Sequence, residues 1–526
     1  MTHASLVILN ANIVTLDSKQ PKAEALAIKN GKIVAVGSSK EIRQYIGKGT
    51  RVIEAKNRMV VSGFVDCHVH MTGFGQSLKN LSLREINSIK ELQQKLQAYA
   101  NNNQEKKWIL GGRWDQEKFA EKRYPTCSDL DKAVADKPVF LLRVCGHIGV
   151  ANSKALQLAN ITKETVVESG KVDLDVAAGE PNGILRENAL ELIWKVVPRP
   201  TQKELEDFSL SACRSAVESG LTGVHWIVNS AEEIRVLQKL CSEGKLPLRV
   251  YLGIPVELLD EIVNLGLVTG FGNDMLKIGF VKILADGSLG ACTAALKEPY
   301  SDKPETSGMM LYTQKTLNKL VLKAHKAGLQ LAVHAIGDRA IESVLKAFSK
   351  ALKSFPKGNH RHRIEHCSVL NPKLIRQMKR LGLIASVQPH FIISDFWVTN
   401  RIGNVRARWT YPFKTLIREG LVVVAGSDCP VEPINPLLGI WAAVARKSFP
   451  EERLTLDEAL RSYTLNAAFA SFEEGKKGSV EVGKLADLTI LSDDLGKISA
   501  EKIKDVSVEA VIVNGEVAYD KRSLFV

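Results

Sequence analysis

Met59-Val-Val-Ser-Gly-Phe-Val-Asp-Cys-His-Val-His-Met71 is the stretch on which the fold turns. An apolar run rich in β-branched residues stops at two histidines spaced i, i+2. Successive side chains of a strand alternate faces, so His68 and His70 are expected to leave on the same side. Two imidazoles at the end of one strand can grip a divalent cation, because neutral imidazole suits zinc and its neighbours. A His-x-His pair alone is weak evidence of a metal. The reading depends on whether other strands end in further ligands.

Outward from this stretch, apolar runs alternate with helical patterns, the mark of a parallel α/β fold. The runs are 221–227, 248–252, 278–284, 329–334, 363–366, 383–388 and 421–425, and with 59–70 they make eight. Eight such units predict an α/β fold of the (β/α)8 TIM-barrel type, whose catalytic groups sit at the C-terminal ends of the strands. His334 closes Leu-Ala-Val-His, His366 closes Arg-Ile-Glu-His, and Asp428 follows Val-Val-Val-Ala-Gly-Ser. Each alone is an ordinary polar residue at a strand end. Together with His68 and His70, in barrel register, they form a ring for one or two metal ions.

Lys282 stands inside the fourth run, where an ammonium is costly to bury and desolvation lowers its pKa. It fits two roles. A neutral amine there can take up CO2 and become a carbamate that bridges two cations. Otherwise the lysine pairs with a buried acid, for which Asp286, four residues on, is the candidate.

Spacing locates the remaining parts. A plain barrel spends about 31 residues per βα unit, whereas about 150 separate His70 from the second run. Residues 72–200 are therefore expected to be an insertion over the barrel mouth. A helix over 202–219 should follow it, opened by the capping box Thr201-Gln-Lys-Glu204 and stopped by Gly220. The insertion holds Gly111-Gly-Arg-Trp-Asp115 and Leu141-Leu-Arg-Val-Cys-Gly-His-Ile-Gly-Val-Ala-Asn152. Both set polar and aromatic groups beside apolar strands, as a substrate lid would. At the two ends, short strands flank Asn30-Gly31 and Asn514-Gly515, which read as hairpin turns. Either set would be marginal alone, so 1–58 and 476–526 predict one composite β-sandwich around a 59–475 barrel.

Composition narrows the function classes. The net charge of +13 is scattered among nearly as many acids, with no basic block interleaved with aromatics, so no nucleic-acid partner is expected. No apolar run approaches the ~20 residues of a membrane span, and Met1–Asn10 lacks an export signal. The eight cysteines form no C-x-x-C pair and read as buried free thiols in a reducing cytoplasm. A homodimer is the default assembly.

The pieces Gly63–His70, Val281-Lys-Ile-Leu-Ala-Asp-Gly-Ser-Leu-Gly290, Val333-His-Ala-Ile-Gly-Asp338, Arg363–His366, Ala425-Gly-Ser-Asp-Cys-Pro-Val431 and Gly478–Asp487 resemble the amidohydrolase superfamily. Within it they are similar to amidohydrolase family 3, the branch that includes N-substituted formamide deformylases. Trp114-Asp115, Arg143, Gly146-His147 and Asn152 extend the resemblance into the insertion. It implies two divalent ions, most often zinc. His68, His70 and Asp428 would hold one, His334 and His366 the other, with carboxylated Lys282 as the bridge. It also implies hydrolysis of a non-peptide C–N bond, amide or N-formyl/N-acyl, in a small-molecule substrate. A metal-bound hydroxide would attack the carbonyl carbon, with Asp428 as general base and then acid.

Trp114, Asp115, Arg143, His147 and Asp286 are the candidate substrate contacts. Trp114 also fits a packing residue, and His147 and His225 fit either substrate contact or a local hydrogen bond. Two rivals remain. A one-metal deaminase would need a glutamate close after the fifth-strand histidine, which His334-Ala-Ile-Gly-Asp338 lacks, and would leave Lys282 without a role. A non-enzymatic scaffold would have lost ligands.

Overall fold

The stretch quoted first serves two sheets. In the computed structural model, which describes residues 3–521, Met59–Ser62 and Phe64–Val69 are separate strands. The first pairs with Asn12–Val14 and Leu488–Leu491, outside the barrel. The second is β1 of the barrel. The single run read over 59–70 is thus corrected to two strands, and Gly63 is the seam. A Cβ there would lie 2.1 Å from the Thr222 side chain, so only glycine fits that approach. Both halves are apolar because each lies inside a covered sheet, and hydrophobicity does not mark where one sheet hands over to the next.

The barrel continues through β2 (Leu221–Ile227), β3 (Arg249–Pro255), β4 (Leu276–Leu284), β5 (Gln330–Ala335), β6 (Arg363–His366), β7 (Ile384–Val387) and β8 (Val423–Ala425). These eight pair in chain order, all parallel. The barrel closes through a bridge between Val69 and Cys429. The Asp428 N–H donates to the His68 carbonyl at 2.7 Å and the His70 N–H to the Cys429 carbonyl at 2.8 Å. Alternation sorts the side chains: Val281 and Ile283 of β4 join the large core under the helices. Phe280, of the same parity as Lys282, packs with Ile227, Tyr251 and Ala332. Helix Gln202–Glu218 carries the expected capping box, with Thr201 and Glu204 exchanging side-chain and backbone bonds.

Strands from both termini build a four-stranded and a six-stranded sheet. Ile8, Ile28 and Ile53 of one meet Val60, Ile490 and Ile512 of the other in a shared core. Six strands between Leu81 and Glu187 form the insertion's own sheet, with one apolar cluster around Trp114 and Leu130 and another around Phe140 and Ile193. The insertion reaches the loops at the barrel mouth. Arg84 donates to the carbonyls of Pro430 and Val431 at 3.1 and 2.5 Å, and Glu117 pairs with Arg401 at 3.2 Å. All eight cysteines are free thiols. Among the described residues no helix is long and apolar enough to cross a membrane.

Candidate metal centre

The closing seam of the barrel carries three of the ring residues. Across from β2, Val224 faces Asp66 and Trp226 faces Val69, so Cys67 and His68 together oppose His225. This is a bulge, which re-aims side chains at a strand end. Cys67 packs with Val65, Ile384 and Val424. Asp66 below it accepts the N–H of His68 at 3.0 Å and the Ser427 hydroxyl at 2.5 Å, tying β1 to the segment after β8. His68 Nε2 and His70 Nε2 lie 3.4 and 3.3 Å from Asp428 Oδ1. The ligand atoms of these three residues all fall within 4.8 Å of one another. Two imidazole nitrogens and a carboxylate oxygen at that spacing fit a divalent cation.

His366 reaches the ring by a backbone turn. In β6, Arg363 and Glu365 face the barrel interior, so an unbroken strand would send His366 outward with Ile364. Instead His366 has φ 74° and Cys367 φ 49°, and Asp428 is also left-handed at φ 54°. Such backbone costs on the order of 1–3 kcal/mol per residue and persists where surrounding structure enforces it. The His366 ring centroid consequently lies 4.9 Å from that of His68 and 4.4 Å from that of His334.

Hydrogen bonds decide which ring nitrogens keep a free lone pair. His334 Nε2–H donates to the Gly287 carbonyl at 3.0 Å, leaving Nδ1 with the lone pair. His366 Nδ1–H donates to Gln388 Oε1 at 2.7 Å, leaving Nε2. His68 Nδ1 is bonded to the Glu365 carboxylate, and its Nε2 faces Lys282 Nζ at 3.0 Å. In each case the partner is an acceptor, so the proton belongs to the bonded nitrogen.

The electrostatics suit a cation. Burial pushes the Lys282 ammonium down to about 8 despite the nearby Glu365 and Asp428 charges, toward the neutral amine. Burial opposes ionisation of Asp428, but His68 and the bonds from both histidines hold it well below the usual carboxylate range. Burial and the Lys282 charge push His68 down, the Asp428 and Glu365 carboxylates push it up, and the carboxylates prevail.

The remaining candidates separate sharply. Asp286 is fully buried and accepts the backbone N–H groups of Ala295, Ile336 and Gly337 at 2.8, 3.0 and 2.9 Å. The pairing with Lys282 is corrected: the Asp286 carboxylate instead ties together the loops after β4 and β5 and lies 3.4 Å from His334 Nε2. For Trp114 the structure matches the packing alternative. Its indole is fully buried in the insertion core and donates to the Leu141 carbonyl at 3.0 Å. A register shift at Gly112–Trp114, with Arg113 at φ 72°, accompanies this placement.

Asp115 and Arg143 pair at 2.7 Å, and Arg143 presses on Gly290, where a Cβ would lie 2.7 Å from Nη1. They support the loop after β4. His147 alone of the insertion candidates makes ring contact with a histidine at the barrel mouth, its centroid 5.9 Å from that of His334. Its Nδ1 bonds Glu187 Oε2 at 2.8 Å, and Glu187 Oε1 accepts the Thr293 hydroxyl at 2.5 Å. Burial pulls the His147 imidazolium down, but the Glu187 charge outweighs it and carries the group up to about 9. His225 lies in the barrel interior, its Nδ1 bonded to Arg363 at 2.7 Å. Burial and the Arg363 charge keep it well below the usual histidine range.

Glu365, Gln388 and Glu187 escape the sequence reading. The parity of Arg-Ile-Glu-His carries a signal for Glu365, since it sets two charges on the inner face of a barrel strand. Nothing near Glu187 in the chain points to His147.

Residues 51–519 match the amidohydrolase family. The chain is 34% identical over 97% of its length to YtcJ of Bacillus subtilis (strain 168), named as an amidohydrolase, and covers 98% of that protein. It is 27% identical to the N-substituted formamide deformylase of Arthrobacter pascens, over 98% of both chains. The crystal structure of an uncharacterized metal-dependent hydrolase from Pyrococcus furiosus superposes with a TM-score of 0.76 at 34% identity. That similarity covers 93% of this chain and 99% of the other.

Proposed function

The chain belongs to the amidohydrolase family, and on that premise we propose a metal-dependent hydrolase that cleaves a non-peptide C–N bond, amide or N-formyl/N-acyl, in a small molecule. The observation that carries this reading is the convergence of His68, His70 and Asp428 on one seam, with His334 and His366 beside it.

His68, His70 and Asp428 would hold one divalent ion, zinc by preference, and His334 and His366 a second. Lys282 would lie between them as a carbamate, its amine nitrogen adding to the carbon of CO2 with loss of one proton. Divalent ions bound there supply Lewis acidity, which lowers the pKa of water and polarises a carbonyl. The chain's own groups do the rest. Asp428 takes the proton of the attacking water at its carboxylate and passes it to the departing nitrogen. His147, its Nδ1–H committed to Glu187, offers Nε2–H to the substrate carbonyl or leaving group.

The test is a panel of N-formyl and N-acyl amines given to the metal-loaded protein. The expected result is equimolar carboxylic acid and amine. A second reading, a one-metal deaminase, draws on the compact three-ligand set of His68, His70 and Asp428. Ammonia release from an amidine-type ring by a protein with one bound ion would replace the first reading with it.

A further inference from the structure

Glu365 and Arg363 are both fully buried inside the barrel. A buried ion pair contributes little to stability relative to apolar residues of the same volume, so stability alone does not account for it. Arg363 Nε lies 2.8 Å from Glu365 Oε1. Its Nη1 bonds His225 Nδ1 at 2.7 Å and its Nη2 the Cys67 carbonyl at 3.3 Å. The guanidinium also rests over Phe280, 4.2 Å from the ring centroid. These contacts hold the guanidinium in place, and it faces one oxygen of Glu365 as an ion pair. The other oxygen accepts the Ser386 hydroxyl at 2.7 Å and the Nδ1–H of His68. A carboxylate offers only lone pairs here, so His68 must carry a proton on Nδ1, and Nε2 is the nitrogen left to exchange any proton for a cation. That Nε2 faces Lys282 Nζ and Asp428 Oδ1, at 3.0 and 3.4 Å.

We propose that Glu365 is the positioning residue of the metal centre: it locks His68 in the one tautomer and ring orientation that can bind a cation through Nε2, and Arg363 and Ser386 hold Glu365 for that purpose. The proposal rests on the metal reading above. Its chemical content is a choice between two nitrogens, and one substitution reverses the choice. In Glu365→Gln the amide must turn its carbonyl toward Arg363, which only donates. Its NH2 then faces His68 Nδ1, which drives the ring proton to Nε2 and removes the ligand lone pair.

The test measures zinc affinity by competition with a chromogenic chelator, together with the tautomer of His68 by NMR of 15N-histidine-labelled protein. Parent protein should show a protonated Nδ1 on His68, assigned by loss of its signal in His68→Asn. Glu365→Gln should bind zinc 10–100-fold more weakly at one site and show the proton on Nε2. Ser386→Ala, a milder change, should weaken binding by less than Glu365→Gln and keep the parent tautomer. If Glu365→Gln fails to fold, the parent spectrum still decides, because a His68 with no proton on Nδ1 overturns the proposal. Parent-like zinc affinity in Glu365→Gln also overturns it. A parent that binds no zinc but shows the Nδ1 tautomer would sink the metal reading instead, and so the two failures are distinguishable.

Discussion

Two clusters of buried histidines lie at opposite ends of β5 and β6, and they are built in opposite ways. At the N-terminal end, His325, His360 and His362 bond only to one another and to backbone. His325 Nδ1 meets His362 Nε2 at 2.9 Å, and His325 Nε2 the Phe355 carbonyl at 2.7 Å. His362 Nδ1 accepts the Leu331 N–H at 3.1 Å. His360 Nδ1 and Nε2 take the His362 N–H and the Leu381 carbonyl, both at 3.0 Å. All six ring nitrogens are thereby used. At the mouth, His334 and His366 each bond a protein acceptor through one nitrogen, and among the described residues no protein hydrogen bond meets the other. Burial alone therefore does not make a histidine functional. What matters is whether a lone pair remains to be given away.

The contrast can be broken at the mouth first, where the largest effects are expected. Asp428→Asn keeps an oxygen beside His68 and His70 but removes the base, so kcat should fall by ~10²–10⁴ with substrate binding retained. Near-normal kcat would move proton transfer to another group. Lys282→Ala should lose bound metal and at least about tenfold of the activity, an effect of the size assigned to an indispensable ligand partner. Added short carboxylic acids should restore part of both. Two retained ions and full turnover would refute the carbamate.

At the other end the same residue type should behave differently. His362→Phe strands the Leu331 N–H and His325 Nδ1, which predicts a loss of roughly 1–3 kcal/mol per stranded group, seen as a lower Tm. Metal content should not change. Burial holds His360 and His362 below the usual histidine range. Their contribution to stability is then present above ~6.5 and is lost as pH falls, so the variant's deficit should shrink on acidification. A change in metal stoichiometry would erase the distinction between the two clusters.

The smallest effect concerns His147, the insertion's histidine beside His334. Its folded pKa, about 9, lies above the ~6.5 of a free histidine. The Glu187 pairing is then fully stabilising below ~6.5 and fades as pH rises through 9. In chelator-treated protein, the Tm gap between parent and His147→Gln should be widest near pH 6 and close toward pH 10. A gap that does not vary with pH would mean that His147 is held neutral.

Much of this was legible in the chain because apolar runs followed by ligand-type residues recur at strand ends, and both strand periodicity and barrel closure act on that pattern. The eight strands and the strand-end placement of His68, His334 and His366 follow from it. What was hidden depends on local departures from the pattern. The bulge at Cys67–His68 and the left-handed turn at His366 re-aim side chains that simple alternation would misplace. Trp114 reads as a substrate wall or a packing residue, and the register shift next to Arg113 accompanies its burial in the insertion core. Glu187 meets His147 only because antiparallel pairing in the insertion brings 148 opposite 186, and no local pattern encodes such a meeting.

The most direct test of the account is a metal count on parent protein loaded with zinc in bicarbonate buffer, read by elemental analysis alongside hydrolysis of an N-formyl amine. The account predicts two zinc ions per chain, with activity lost on chelation and restored by adding zinc back. A chain that binds no zinc, or that hydrolyses the substrate equally well with none, would contradict it.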